Sequence, residues 1–280
     1  MLTTHLDFTP LLIAASSSSI AGALLLSIAA LKERDRALLV FKSWKMLIPA
    51  SVFVAAGLFA LFDSVSSVGA SKVGLLAGPI ETVIILLLAR AFLLEKLSKA
   101  QLTGVMIALG GFFATVLSGV SGVTQEDPFR WGDAEAVLSA VLLGVGIIFI
   151  TKLTKAYSIL AVTGSLLLSS GLILVALLWI TSDPELSLSE WTLLLLFSLL
   201  PLAVSLTYVA GLARIGASLT SIIASFSILL TPILQLALLG LNVDVILPAN
   251  VPLAITGGVL GVSGIYLIHK KNRASPRAFP

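Results

Sequence analysis

Residues 68–98 read VGASKVGLLAGPIETVIILLLARAFLLEKLS, and the reading of this stretch decides the fold. From Lys72 to Leu94 it offers about 23 largely apolar residues, which at ~1.5 Å per residue cross a hydrocarbon layer roughly 30 Å thick. The pattern predicts a membrane-spanning helix. Near its middle stand Pro79 and Glu81, the first unable to donate a backbone hydrogen bond, the second carrying a group that hydrocarbon does not solvate. Residues of this kind persist in a span where other helices surround them or a water-filled cavity reaches them.

The rest of the chain has the same character. Of its 280 residues 58% are hydrophobic and 11% charged, and the mean hydropathy is +1.11. A water-soluble fold built from them would expose far more apolar surface than water tolerates. The apolar runs have the length of spanning helices and lack the alternation of a membrane barrel, so an all-α integral membrane protein is expected. There is no cysteine, which excludes disulfides and thiolate metal sites. No HExxH pattern, acidic metal cluster or phosphate-binding loop is present, and no cofactor is implied. Nucleic-acid binding has no support.

Nine spans are predicted, at about 10–31, 46–67, 72–94, 100–119, 133–151, 159–181, 191–212, 218–240 and 250–268. With the N-terminus outside, all but Lys72 and Arg130 of the 17 lysines and arginines fall on the inner side. Glu126, Asp127, Asp183, Glu185 and Glu190 fall on the outer side. This is the positive-inside pattern, and it supports the count, because one helix more or fewer would scramble the alternation downstream. The expected location is the cytoplasmic membrane, with multiple passes and a basic C-terminal tail in the cytoplasm.

A shift of 147 residues places Trp44 on Trp191, Gly69-Ala70-Ser71 on Gly216-Ala217-Ser218, and Gly110-Gly111 on Gly257-Gly258. A single ungapped shift serves all three groups, as a duplicated chain would. Five spans separate Trp44 from Trp191, so the two tryptophans begin their spans on opposite sides and the halves are inverted. The predicted domains are residues 1–122, with four helices, and residues 123–280, with five. Inverted repeats let one pattern adopt two shapes that exchange around a shared midplane site, which is the design of a transporter.

The string VGASKVGLLAGPIETVIILLLARAFLLEKLSKAQLTGVMIALGGFFATVL resembles the closing part of an EamA-type repeat of the drug/metabolite transporter superfamily. IGASLTSIIASFSILLTPILQLALLG, followed by the helix containing Gly257 and Gly258, is similar to the same region again. The resemblance implies a secondary carrier of ten helices in two inverted repeats of five, moving metabolites such as amino acids across the cytoplasmic membrane. Two departures stand out. The span at 10–31, followed by a basic loop, resembles the second helix of such a repeat, so the first helix has no counterpart. The Gly-Glu ending typical of the family's penultimate repeat helix survives only in part, as Leu94-Glu95 and as Gly240-Leu241.

Glu81 lies nine residues into its span, ~13 Å along the axis and so near the midplane. A carboxyl at that depth is suited to take up and release a proton or to pair with a cationic solute group. Pro79 and Pro232 are predicted helix breaks, releasing the carbonyls of Leu75 and Ile228. Ser225, Ser227 and Thr231 accompany Pro232 and form the expected hydrogen-bonding wall of the solute site. The run Ser16–Ser19 covers all sides of its helix, so at least one of the four is expected to face lipid. Arg90 is expected to snorkel to the interface, and Trp44 and Trp191 to anchor there. Gly74 with Gly78, and Gly257 with Gly261, have the spacing that lets helices approach closely.

The GVSG strings at 119–122 and 261–264 match the pattern around the nucleophile of rhomboid-type intramembrane proteases, but that chemistry needs a base near the serine, and the two histidines, His5 and His269, lie at the chain ends. No enzyme is expected. The sequence favours a carrier, over an accessory membrane protein, an intramembrane enzyme or a channel, working by alternating access and most simply as an exporter. Its expected partners are a small solute with Glu81 as a proton site, the lipid bilayer, and a second copy of the chain in a homodimer.

Overall fold

The computed structural model describes residues 9–93, 99–118, 130–181, 188–225, 237–238, 240 and 249–270. Among these every regular element is a helix. In chain order they are α1 (Pro10–Glu33), a 3-10 helix (Arg34–Ser43), α2 (Trp44–Val68), α3 (Ala70–Leu93), α4 (Lys99–Leu117), α5 (Trp131–Leu153), α6 (Ile159–Thr181), α7 (Leu188–Ile215), α8 (Ala217–Ser225) and α9 (Val251–Lys270). Six helical stretches among the described residues are long and apolar enough to cross a membrane, and α4 and α9 contain shorter apolar cores. The chain is a multi-pass, all-helical membrane protein. The expected span at 218–240 is described as a helix only as far as Ser225.

The helix ends are written in the sequence. Thr9 caps α1 by accepting the Leu12 amide at 3.3 Å, with Pro10 in the first turn, where its missing N–H is not needed. Ser158 caps α6 through the Ala161 amide, and Asn250 caps α9 through the Leu253 amide at 3.0 Å. At α5 the device is the returning half of a capping box: Asp133 reaches back and accepts the Arg130 amide at 2.9 Å. Gly69 and Gly216 separate α2 from α3 and α7 from α8, both with φ of +84°. Only glycine enters that region without strain, which is why the same Gly-Ala-Ser string stands at both turns.

The basic segment expected as a loop after the first span is a 3-10 helix of 10 residues. Such helices repeat every three residues, and Ala37 and Val40 are both fully buried, with Ser43 next in the series bonding the Tyr157 hydroxyl at 2.6 Å. That period holds the segment against its neighbours for a length seldom seen in this kind of helix.

The chain packs as two compact units, Met1–Asp63 with Val145–Ala217, and Ser64–Gly144 with Ser218–Pro280. Each draws on both sequence halves, a division different from the one at residue 122. The reason lies in which helices pair. In the first unit α1 packs along α6: Gly22 lies on the backbone of Leu167 and Leu168, Gly164 on that of Leu25 and Leu26, and Gly171 on that of Ser19. As one residue number rises the other falls, so the two helices are antiparallel, and a side chain on any of the three glycines would strike backbone. Leu12, Ile13 and Ala15 of α1 form the core with Ala55 of α2, Leu174 of α6 and Leu194 of α7. In the second unit α4 packs along α9 in the same manner, Gly111 over Gly257 and Gly261, and Gly264 over Gly104 and Ala108. α3 lies against both.

Within the first unit Ser16, Ser17 and Ser18 are buried and Ser19 is half-buried, so none of the four has the lipid exposure expected of it. α1 is the central helix of its unit, contacted by α6 and α7, and has no open face at that level. Ser16 instead returns its hydroxyl to the carbonyl of Leu12 at 2.7 Å.

Candidate functional site

The second unit holds a buried ion pair and the mid-span carboxyl. α3 brings Lys72, Pro79 and Glu81 onto one helix, and α5 brings Asp133 to its first turn. The Lys72 ammonium lies 2.7 and 2.8 Å from the two oxygens of the Asp133 carboxylate, and both side chains have zero exposure. One carboxylate thus serves two donors, the Arg130 amide and Lys72. Beside it the Ser64 hydroxyl donates to the carbonyl of Gly132 at 2.7 Å, and Gly132 sits against Ser67 and Val68. The first turn of α5 is therefore tied to the end of α2 and the start of α3 by polar contacts.

The sequence places Lys72 among two basic residues on the acidic side of the membrane and does not pair it. Its partner stands 61 positions away, at the head of another helix. The available signal was the combination of a lone lysine within an apolar helix and a lone aspartate opening another on the same side. Two such charges are costly apart and tolerable together.

Glu81 sits nine residues beyond Lys72, in the middle of α3 and half-buried. Among the described residues its carboxyl makes no hydrogen bond or ion pair. Its backbone carbonyl and Ile84 face Gly144 of α5, where a side chain would crowd Ile84. The expected break at Pro79 does not interrupt the helix, which runs from Ala70 to Leu93 with the proline inside. Pro79 costs the one bond that its nitrogen cannot donate, and its buried ring rests against Gly261 of α9, where the absence of a Cβ makes room. Thr82, one turn on, donates its hydroxyl to the carbonyl of Gly78 at 3.0 Å.

The other predicted site residues are placed as follows. Ser225 ends α8, in the same unit as Glu81, with the course of its backbone alone described. Ser227, Thr231 and Pro232 lie outside the described residues. Arg90 is exposed near the end of α3, and Trp44 and Trp191 are exposed in the first turns of α2 and α7. Of the two GVSG strings, 119–122 lies outside the described residues, and in the other Gly261 and Gly264 are taken up by packing on α3 and α4. Ser263 faces away, exposed.

The sequence pattern of the EamA-like transporter family matches residues 2–117 and again residues 130–269. The chain belongs to the EamA-like transporter family. The pattern matches twice, once in each half. Among curated proteins none matches this transporter by sequence. A protein of known crystal structure has a similar fold, with a TM-score of 0.66 at 19% identity, over 93% of this chain and 89% of that one.

Proposed function

We propose that this EamA-like transporter is a secondary carrier of small organic solutes, amino-acid-like in size, that exports them from the cytoplasm by alternating access between two inverted repeats. The observation that carries the reading is the turn repeated at a shift of 147 residues. Gly69 and Gly216 have the same φ and join helices of the same order. The helices that the shift relates, α1 with α6 and α4 with α9, pair antiparallel, as an inverted duplication requires. Nine spans with the N-terminus outside and the C-terminus in the cytoplasm accord with this arrangement and with the distribution of basic residues.

Within it Glu81 is the proton or cation site. It is a mid-span carboxyl with no protein partner among the described residues, on a helix that a proline has already relieved of one hydrogen bond. Ser225, Ser227 and Thr231 supply the hydrogen-bonding wall. No nucleotide-binding loop is encoded, so the energy is that of a gradient, the solute's own or the proton's.

The test is thermal stabilisation of the purified protein across a panel of amino acids and other metabolites, with Glu81→Gln beside the wild type. A solute that stabilises the wild type and stabilises Glu81→Gln less supports a carrier with its site at Glu81. A solute that stabilises both equally removes Glu81 from the site. No stabilisation by any solute, with the protein well folded, turns the reading to an accessory membrane protein.

A further inference from the structure

The fold does not require the Lys72–Asp133 pair. The 147-residue shift puts Leu219 at the position of Lys72, so the second Gly-Ala-Ser turn opens its helix with an apolar residue. While it stays closed, a buried ion pair is no more stable than a well-packed apolar pair of similar volume. Stability alone therefore does not account for the charges. The two kinds of contact differ when they part. A separated ammonium and carboxylate regain the hydration that burial took from them, whereas separated apolar side chains expose surface that water disfavours. An ion pair at zero exposure thus suits a contact that opens to water and closes again.

Two features of the second unit place such a contact here. The first is depth. Lys72 and Asp133 lie in the first turns of α3 and α5, and Glu81 lies nine residues beyond Lys72, ~13 Å along α3. The two helices run side by side in one direction, since Asp133 meets Lys72 and, further along, Gly144 meets Ile84. On the orientation proposed above, the pair lies on the outer side of the mid-span carboxyl. The second feature is anchorage. α3 is held by α4 and α9, with the Pro79 ring on Gly261. α5 is held elsewhere. The division between the units falls within it, and beyond Gly144 its Gly146 lies on Val54 of α2, while its Phe149 ring stacks on Phe53 with centroids 6.2 Å apart. The helices that the pair joins therefore have different supports.

We infer that Lys72 and Asp133 form a reversible latch on the outer end of α3. Paired, they hold it against α5; parted and hydrated, they open a water path toward Glu81. The inference rests on the carrier reading and names residues that gate it. The chain has no cysteine, so a single introduced one reports opening without background. Ala136, one turn beyond Asp133 on α5, and Ala15, in the core of the first unit, are both fully buried. The rate at which a water-soluble maleimide modifies Ala136→Cys or Ala15→Cys is measured on the full chain in detergent, with the pair intact, with Lys72→Met, and with Lys72→Met/Asp133→Leu. With the pair intact, Ala136→Cys is expected to react at least about tenfold faster than Ala15→Cys, because local opening exposes it. Lys72→Met leaves a carboxylate that only water satisfies and is expected to speed Ala136→Cys about tenfold, whereas the apolar pair slows it about tenfold. Ala15→Cys is expected to keep one rate throughout. Equal rates at the two cysteines with the pair intact overturn the proposal. So does a rate with Lys72→Met/Asp133→Leu as fast as with the pair intact, which is what a purely structural pair would give. Where a variant loosens the whole fold and speeds Ala15→Cys as well, the comparison with the pair intact alone decides. Labelling needs no solute, so failure of the latch and failure of the carrier reading are told apart by the solute tests above.

Discussion

The two compact units use one construction and fill it differently. Each is centred on an antiparallel pair of helices brought together by glycines, α1 with α6 in one and α4 with α9 in the other. Among the buried hydroxyls of the first unit, Ser16, Ser17, Thr151, Thr163 and Ser170 bond to carbonyls three or four residues back in their own helices, and Ser51 and Ser165 have no partner among the described residues. The second unit buries a lysine and an aspartate at zero exposure and holds the mid-span Glu81. A hydroxyl satisfied within its own helix leaves that helix independent of its neighbours. An ion pair satisfied across helices makes each depend on the other. The first unit therefore reads as framework, and the second as the part in which charge, and with it chemistry, is concentrated.

The sharpest way to break this contrast is to remove half of the ion pair. Lys72→Met leaves Asp133 buried without its cation and is expected to cost about 3–5 kcal/mol of stability, measured by denaturant unfolding in detergent. The double variant Lys72→Met/Asp133→Leu is expected to recover most of that loss, because a well-packed apolar pair replaces a buried ionic one at little net cost. A full loss in the double variant would mean that the charges do more than satisfy each other.

The next effect in size concerns the shared construction. Gly111 faces Gly257 and Gly261, whereas Gly110, its neighbour in the chain, has nothing within 4 Å of where a Cβ would lie. Gly111→Ala is expected to cost about 1–3 kcal/mol by forcing α4 from α9, and Gly110→Ala to be neutral or stabilising. Equal effects at the two positions would contradict the packing described for this unit. Smaller still is the turn that both units share. At Gly216, where an added methyl group meets nothing within 4 Å, Gly216→Ala isolates the backbone term, expected at roughly 1–2 kcal/mol. Gly69→Ala should lose a similar amount if the two turns are equivalent.

What the sequence made legible follows the range over which its signals act. Span positions, the Gly-Ala-Ser turns and the mid-span placement of Glu81 are local matters of length, hydropathy and periodicity, and the described helices other than α8 start and stop within a few residues of where they were expected. The Lys72–Asp133 pair was not legible, because residues 61 positions apart are joined only by the tertiary fold. The burial of Ser16, Ser17 and Ser18 was hidden for the same reason, since nothing within α1 says that it is the centre of its unit. Pro79 was legible as a lost hydrogen bond but not as a continuous helix, because the glycine that receives its ring belongs to α9. The 3-10 helix at Arg34–Ser43 carries a three-residue apolar period too weak to stand out against its charges.

The account turns on the claim that Glu81 is the working centre of a carrier, and counterflow measures this most directly. The purified protein is placed in liposomes loaded with a solute that stabilises it, and entry of labelled solute is followed for the wild type and for Glu81→Gln. The account predicts counterflow in the wild type and a fall of about tenfold or more in the variant, equivalent to at least ~1.4 kcal/mol in the transport barrier. Undiminished counterflow in Glu81→Gln would contradict it.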